Sequence, residues 1–550
     1  MNPYIILSAI AGYLALFFVI AWLTGRRADN EGFFVGNRRS PWLVVAIGMI
    51  AAPMSGVTFV SVPGMVGTSG FAYLQMAMGF VVGYLVIAFV LVPSLYRRKI
   101  VSVYEYLDGR FGGSSYRTGA WFFFVSKMLG ATVKIYLVCL VLQMIVWEPL
   151  GVPFAAGSAA LMFLVWLYTF RGGVRSLVWT DALKTLFLFA SVGLSIWFIA
   201  REMGLSLGDF SRTVGDSELS RVFFFDDVND RRYFFKQFFS GLFIVIAMTG
   251  LDQDMMQLPL SCRSPRDSQK NFVLSGAMQF VAIFGFLCLG VLLHLFVEAR
   301  EVAATGADLA GAAGASVGAA GASVGADLAG ASTAVSAASS VVAPAGDGLF
   351  PFVAVSSGLP AVVGVVFALG LVASTWSAAG SALTSLTTSF TVDILGGGRL
   401  TGSANDAGGT GNKNGANSAD NSQGEARLGR MRRLVHTAMA AAMVGVVLAF
   451  RALAHTSVID AVYTLASYTY GPILGMFAFG LLTRRRVRDR WVPLVAVAAP
   501  ALCLMLDLNS EAWFGGYRFG YELLIMNALF TFAGMAALGK QTTPQSVKAE

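Results

Sequence analysis

The chain has 550 residues, of which 56% are hydrophobic and 13% charged, with a mean hydropathy of +0.68. Apolar runs of about 18 residues or more recur along its whole length, which excludes an ordinary soluble domain and reads as an all-α polytopic membrane protein. The runs are too long for barrel strands, and membrane orientation explains the net charge of +8 without any nucleic-acid partner.

About thirteen transmembrane helices are predicted, at 3–24, 41–66, 71–96, 117–147, 153–170, 175–199, 233–256, 271–297, 357–395, 433–452, 456–482, 490–507 and 517–539. The first run has no basic region before it and no small-residue cleavage site after it, so it is expected to be a retained helix. With the N-terminus outside, most Lys and Arg fall on inner segments, among them Arg26, Arg27, Arg97, Arg98, Arg263, Arg430 and the Arg484–Arg486 run. This predicts a multi-pass plasma (inner) membrane protein with its N-terminus outside and its C-terminus cytoplasmic. Five regions follow: 1–40, a first helix and inner loop; 41–199, a first helical block; 200–232, an outer loop with a short helix; 233–507, a second block; and 508–550, the last helix and inner tail.

The second span carries AAPMSGVTFVSVPG, residues 51–64, with Pro53, Pro63, Gly56, Gly64, Ser55, Thr58 and Ser61. Proline removes a backbone donor and glycine loosens the helix. Irregular backbone at membrane depth is tolerated where it faces protein or a watery cavity. The stretch therefore reads either as a packing kink or as a broken helix at a ligand site. In the third span, Gln75 is a buried amide that either faces a pocket or bonds a neighbouring helix. The fourth span holds Lys127 and Lys134, seven residues apart on nearly one face. Lys127 sits where it can snorkel or pair. Lys134 near mid-span fits an anionic ligand or a structural ion pair equally. In the sixth span Asp181 can bind a cation or pair with Lys184.

Two low-complexity segments follow. Residues 301–346 repeat GADLAGA-like phrases and read as a flexible outer loop; residues 397–426, rich in Gly, Asn, Asp and Ser, read as a disordered inner loop. Between them the ninth span contains STWSAAGSALTSLTTSFT (374–391), more than half Ser and Thr. Ser374, Ser377, Ser381, Thr384, Thr388 and Thr391 share a helical face. Such a stripe glues helices together or supplies oxygen ligands to a hard cation. Four scattered cysteines suggest no disulfide framework or metal cluster. Three scattered histidines (His294, His436, His455) and the absence of any nucleophile–base pair or phosphate loop argue against an enzyme.

Six phrases in order resemble the sodium:solute symporter family: EGFFVGNRRSP (31–41), MSGVTFVSVPG (54–64), VSVYEYLDGRFG (101–112), GGVRSLVWTDALKT (172–185), GLDQDMMQLPLSCRSPRDSQKN (250–271) and SALTSLTTSFTVDIL (381–395). The resemblance implies a LeuT-like core of two inverted five-helix repeats, spans 2–6 and 7–11, with spans 2 and 7 broken; Gly241 and Gly250 mark the latter. It implies a sodium site formed by the carbonyls of Ala51, Met54 and Ser374 and the hydroxyl of Ser377. Ala378 stands where the family usually has a further hydroxyl, which a carbonyl, water or Thr375 would have to replace. A second cation in some members matches Asp181 and Ser381, with Gly380 in place of a hydroxyl. In sialic-acid-carrying members the carboxylate-binding residues match Ser55, Thr58 and Lys134. Met248 replaces the aromatic residue that stacks on sugars in sugar-carrying members, which argues against the sugar alternative. The expected function is sodium-coupled (Na+) import of a small carboxylate-bearing solute through the lipid bilayer. Ala378 and Gly380 keep a proton-coupled carrier, an uncoupled carrier and a solute sensor open as alternatives.

Overall fold

In the computed structural model, residues 3–25, 42–97, 103–260, 262, 264–318, 344–356, 359–395, 418–453 and 458–540 are described. The phrase at 31–41 lies outside them, as do 319–343 and 396–417 of the two low-complexity segments. The described backbone is helical almost throughout. Its labelled helices are α1 (Pro3–Gly25), α2 (Trp42–Ala51), α3 (Gly56–Gly64), α4 (Ala72–Val86), α5 (Gly113–Leu142), α6 (Phe154–Glu202), α7 (Phe234–Val245), α8 (Gln253–Leu260), α9 (Pro265–Gly318), α10 (Leu349–Ser356), α11 (Ala361–Ser389), α12 (Ser418–Leu453), α13 (Val458–Leu482), α14 (Val492–Leu508) and α15 (Leu523–Ala537). Arg486–Val487 and Gly539–Lys540 form a short antiparallel pair. Among the described residues, eight helices are long and apolar enough to cross a membrane, and shorter apolar helices accompany them.

The second span is interrupted as its composition suggests. Residues 52–55 separate α2 from α3. Pro53 has no N–H for the ladder and disfavours helical backbone at Ala52. Ser55 is extended (φ −117°, ψ 179°), and its carbonyl accepts the Phe59 N–H at 3.1 Å to start α3. The seventh span breaks at Leu251 and Asp252, between a π-helical turn (Ile246–Gly250) and α8. Asp252 caps α8: its Oδ1 accepts the Asp254 N–H at 2.9 Å and the Met255 N–H at 3.4 Å. Gly241 does not mark this break. It packs against the Met76 carbonyl, just as Gly79 and Gly83 pack against backbone atoms of Phe238 and Leu242. These glycines let α4 and α7 approach closely.

Helical backbone runs through spans five and six, labelled together as α6, with one apolar helix in each, Phe154–Phe170 and Trp179–Glu202. A straight rod would hold Tyr168 and Phe187 about 28 Å apart. Yet their rings pack on Phe17 and Tyr13 of α1, at centroid distances of 4.9 and 5.0 Å. Those two partners are one helical turn apart, so α6 doubles back between Tyr168 and Phe187. The 200–232 loop holds the expected short helix, Leu207–Asp216, closed by a Ser206–Asp209 capping box. The backbone of α9 continues helically into the Ala/Gly-rich segment as far as Gly318.

At the centre, α3 packs against α5 and α11, while α11 also contacts α6 and α13 contacts α5. Both breaks therefore face the same interior space.

Candidate functional site

Two adjoining cavities lie at the breaks. The first is lined by Ala52 and Ser55 from the α2–α3 break, Lys127 and Lys134 from α5, Asp181 and Lys184 from α6, Asp252 and Asp254 from the second break, Thr375, Ala378 and Ser381 from α11, and Tyr470 from α13. The second is lined by Ser55, Thr58, Lys134, Met248, Gln279 and Tyr463, among others. Ser55 and Lys134 border both.

The three intramembrane lysines have different surroundings. Lys127 Nζ sits 3.1 Å from Asp252 Oδ2 and 2.7 Å from Asp254 Oδ2. The Tyr470 hydroxyl donates to Asp252 at 2.7 Å, and the Ser381 hydroxyl donates to Asp254. This closes a buried network across α5, α8, α11 and α13. Neither Lys134 nor Lys184 has a hydrogen bond or ion pair among the described residues, although Lys184 is only 1% exposed. Both ammonium-bearing side chains line the first cavity.

The hydroxyl stripe of α11 separates into two groups. Ser374, Thr384, Ser385 and Thr387 donate to their own helix, at Leu371 O, Gly380 O, Ala382 O and Leu383 O. Thr387 also meets His436 at 2.9 Å, and the same ring meets Thr169 at 2.9 Å, which is a structural clamp. Thr375 is different: its buried Oγ1 has no hydrogen-bond partner among the described residues, and it lies directly against Gly56 in the first turn of α3. A hydroxyl is thus available between the broken helix and α11, beside Ala378. The side chains of Ala51 and Ser377 lie outside the described set. Met54 is fully buried beside the break, where its backbone is non-helical.

Gln75 is drawn elsewhere. Its Nε2 donates to Arg232 O at 2.8 Å, and its Oε1 accepts from Phe224 N at 3.3 Å. It ties the 200–232 loop to α4 and lines neither cavity. Ser381 is likewise committed to Asp254. Asp181 and Lys184 both line the first cavity.

Sequence reasoning gave no individual role to Asp252, Asp254 or Tyr470. A signal existed for the aspartates: two acidic residues, two positions apart, follow a glycine within an apolar run. Tyr470 had none, because only the fold brings α13 to the second break. Tyr168 is a further case. Its hydroxyl donates to Trp376 O at 3.0 Å and occupies the space that a side chain at Gly380 would need.

The chain resembles known transporters in sequence and fold. It is 26% identical to the human sodium/iodide cotransporter over 277 residues, which is 50% of this chain and 42% of that protein. It is 27% identical to the human sodium-coupled monocarboxylate transporter 2 over 274 residues, 48% of this chain and 43% of that protein. The chain thus spans less than half the length of these curated relatives. Over nearly full length it shares the fold of a substrate-bound, outward-open Na+-coupled sialic acid symporter, with a TM-score of 0.73 at 16% identity, covering 98% of this chain and 99% of that one. The sequence model that describes one transporter family matches residues 33–376. With that match running from the segment before α2 to the Thr375 region of α11, the chain belongs to the sodium:solute symporter family.

Proposed function

We propose that the protein is a sodium-coupled symporter that imports a small carboxylate-bearing solute. The observation that carries this reading is Lys134, a cation without an ion-pair partner among the described residues, where two cavities meet at a broken helix. An unpaired ammonium group inside a membrane is costly, and a carboxylate would relieve it. Ser55 borders the same junction and Thr58 the second cavity, so their hydroxyls are available to the carboxylate oxygens. Lysine offers a point charge and no planar fork, so these hydroxyls would fix the orientation.

Sodium would bind between the α2–α3 break and α11. Carbonyls of Ala51 and Met54, at the break between α2 and α3, would face the backbone of Ser374 and the hydroxyl of Ser377. The unpartnered Thr375 hydroxyl would supply the oxygen that Ala378 lacks. These are hard oxygen donors suited to a hard cation. Binding there would draw α3 toward α11 and complete the solute pocket. The two breaks fall in spans two and seven, the first helix of each proposed five-helix repeat. That placement supports a thirteen-crossing, inverted-repeat architecture in which one bundle rocks against the other.

The test is uptake into proteoliposomes of a panel of radiolabelled monocarboxylates, sialic acids and sugars, with and without an inward sodium gradient. One carboxylate should accumulate in sodium only. Lys134→Ala should reduce that uptake at least tenfold. Accumulation of a neutral sugar, or full carboxylate uptake by the variant, would overturn the assignment.

A further inference from the structure

Three lysines and three aspartates line the first cavity: Lys127, Lys134, Lys184, Asp181, Asp252 and Asp254. Their formal charges cancel before any ion or solute enters. Lys127 is held by Asp252 and Asp254. Asp181 and Lys184 remain on one wall, one helical turn apart on α6, facing Lys134 on α5.

By the family resemblance Asp181, Ser381 and the residue before Ser381 would hold a second cation. The residues present do not fit one. The Ser381 hydroxyl is given to Asp254. Gly380 has no side chain, and the Tyr168 hydroxyl fills the place where one would stand. Lys184 brings a buried ammonium group into the same wall, without any other partner among the described residues. A second sodium beside it would meet like charge in a low-dielectric setting. A buried ammonium, in turn, needs the nearby carboxylates for its own stability.

We propose that the Lys184 ammonium group is a tethered cation that takes the place of a second bound sodium, so that the protein binds one sodium ion and not two. This rests on the sodium-coupled reading above. It also explains the otherwise unrelated features at Gly380 and Ser381: with a resident cation there, no ligand hydroxyls are needed. One sodium and one monocarboxylate would then leave the cavity neutral throughout the loaded state.

The probe is sodium alone. The purified full chain in nanodiscs is equilibrated with radiolabelled sodium in a choline background, and the number of ions bound per protein is counted. The wild type should bind one, with a Hill coefficient of 1. Lys184→Gln removes the like charge, leaves one more carboxylate than ammonium in the wall and supplies an amide oxygen in place of the missing hydroxyl ligand, so it should raise the count to two. Adding Asp181→Asn to that variant should return it to one. A purely structural lysine would change thermal stability but not the count. Two sodium ions on the wild type would overturn the inference while leaving sodium coupling intact, and that arm needs no variant to fold. A folded Lys184→Gln protein that still binds one would also overturn it. No sodium on any form would remove the sodium reading together with this inference.

Discussion

Lys127, Lys134 and Lys184 look alike in the sequence, each a single cation in an apolar run. Their neighbours separate them. Lys127 is the hub of a buried ion network with two carboxylates, a tyrosine and a serine. Removing one partner of such a network strands the opposite charge, which costs about 3–5 kcal/mol. Lys127→Met should therefore lower the thermal unfolding midpoint of the detergent-purified protein markedly; an unchanged midpoint would show that the aspartates are satisfied in another way. Thr375 works on a smaller scale. Its hydroxyl has no partner among the described residues at the point where α3 meets α11. Thr375→Val keeps the shape and removes the oxygen. It should raise the sodium concentration for half-maximal uptake by about tenfold, the equivalent of one hydrogen-bond-sized contribution. Thermal stability in the absence of sodium should change little, and an unmoved sodium curve would remove Thr375 from the site.

At the scale of elements, the two broken helices have different origins. The first is written in the chain as Pro53 and Gly56. The second lacks a proline at the break and depends on a π-helical turn followed by Asp252, whose carboxylate starts α8 anew. The close packing of α4 on α7 rests on Gly79, Gly83 and Gly241, each set against backbone atoms of the other helix. A methyl group at Gly79 would press on Phe238 O and Leu242 N. Gly79→Ala should destabilise by about 1–3 kcal/mol, the usual range for overpacking. A thermal midpoint equal to that of the wild type would mean that the helices separate without penalty. Other elements are fastened at their ends. Asp489 accepts the backbone N–H groups of Ser114 and Ser115, both at 2.8 Å, and so caps α5 from the loop before α14. Arg110 donates to Thr483 O at 2.7 Å beside it.

For the whole molecule, the distribution of Lys and Arg implies an orientation that can be measured. All four native cysteines are buried, which keeps the background low. A cysteine placed at Arg212, in the short helix of the 200–232 loop, should react with a membrane-impermeant maleimide on intact cells. One placed at Arg488 should react only after permeabilisation. The reverse pattern would invert the proposed topology and with it the direction of import.

Much of this architecture is legible from the chain alone. Long apolar runs dictate helices, because only an unbroken internal ladder satisfies the backbone in lipid. Charge placement suggests the orientation. Pro53 and Gly56 announce the first break, and the positions of Ser55, Thr58, Lys134, Asp181 and Ser381 could be picked out by residue type and resemblance. Their relations could not. Whether a buried lysine is paired depends on which helix faces it, and that contact is made across hundreds of residues. The fold gave Lys127 to Asp252 and Asp254, sent Gln75 to the 200–232 loop, and left Lys134 and Lys184 facing the cavity. It also set the Tyr168 hydroxyl into the space beside Gly380. The sequence by itself determined where helices form and where they break, since those are local properties of the backbone. Only the tertiary structure decided which charges meet, because a pairing energy exists only once two distant helices share a wall.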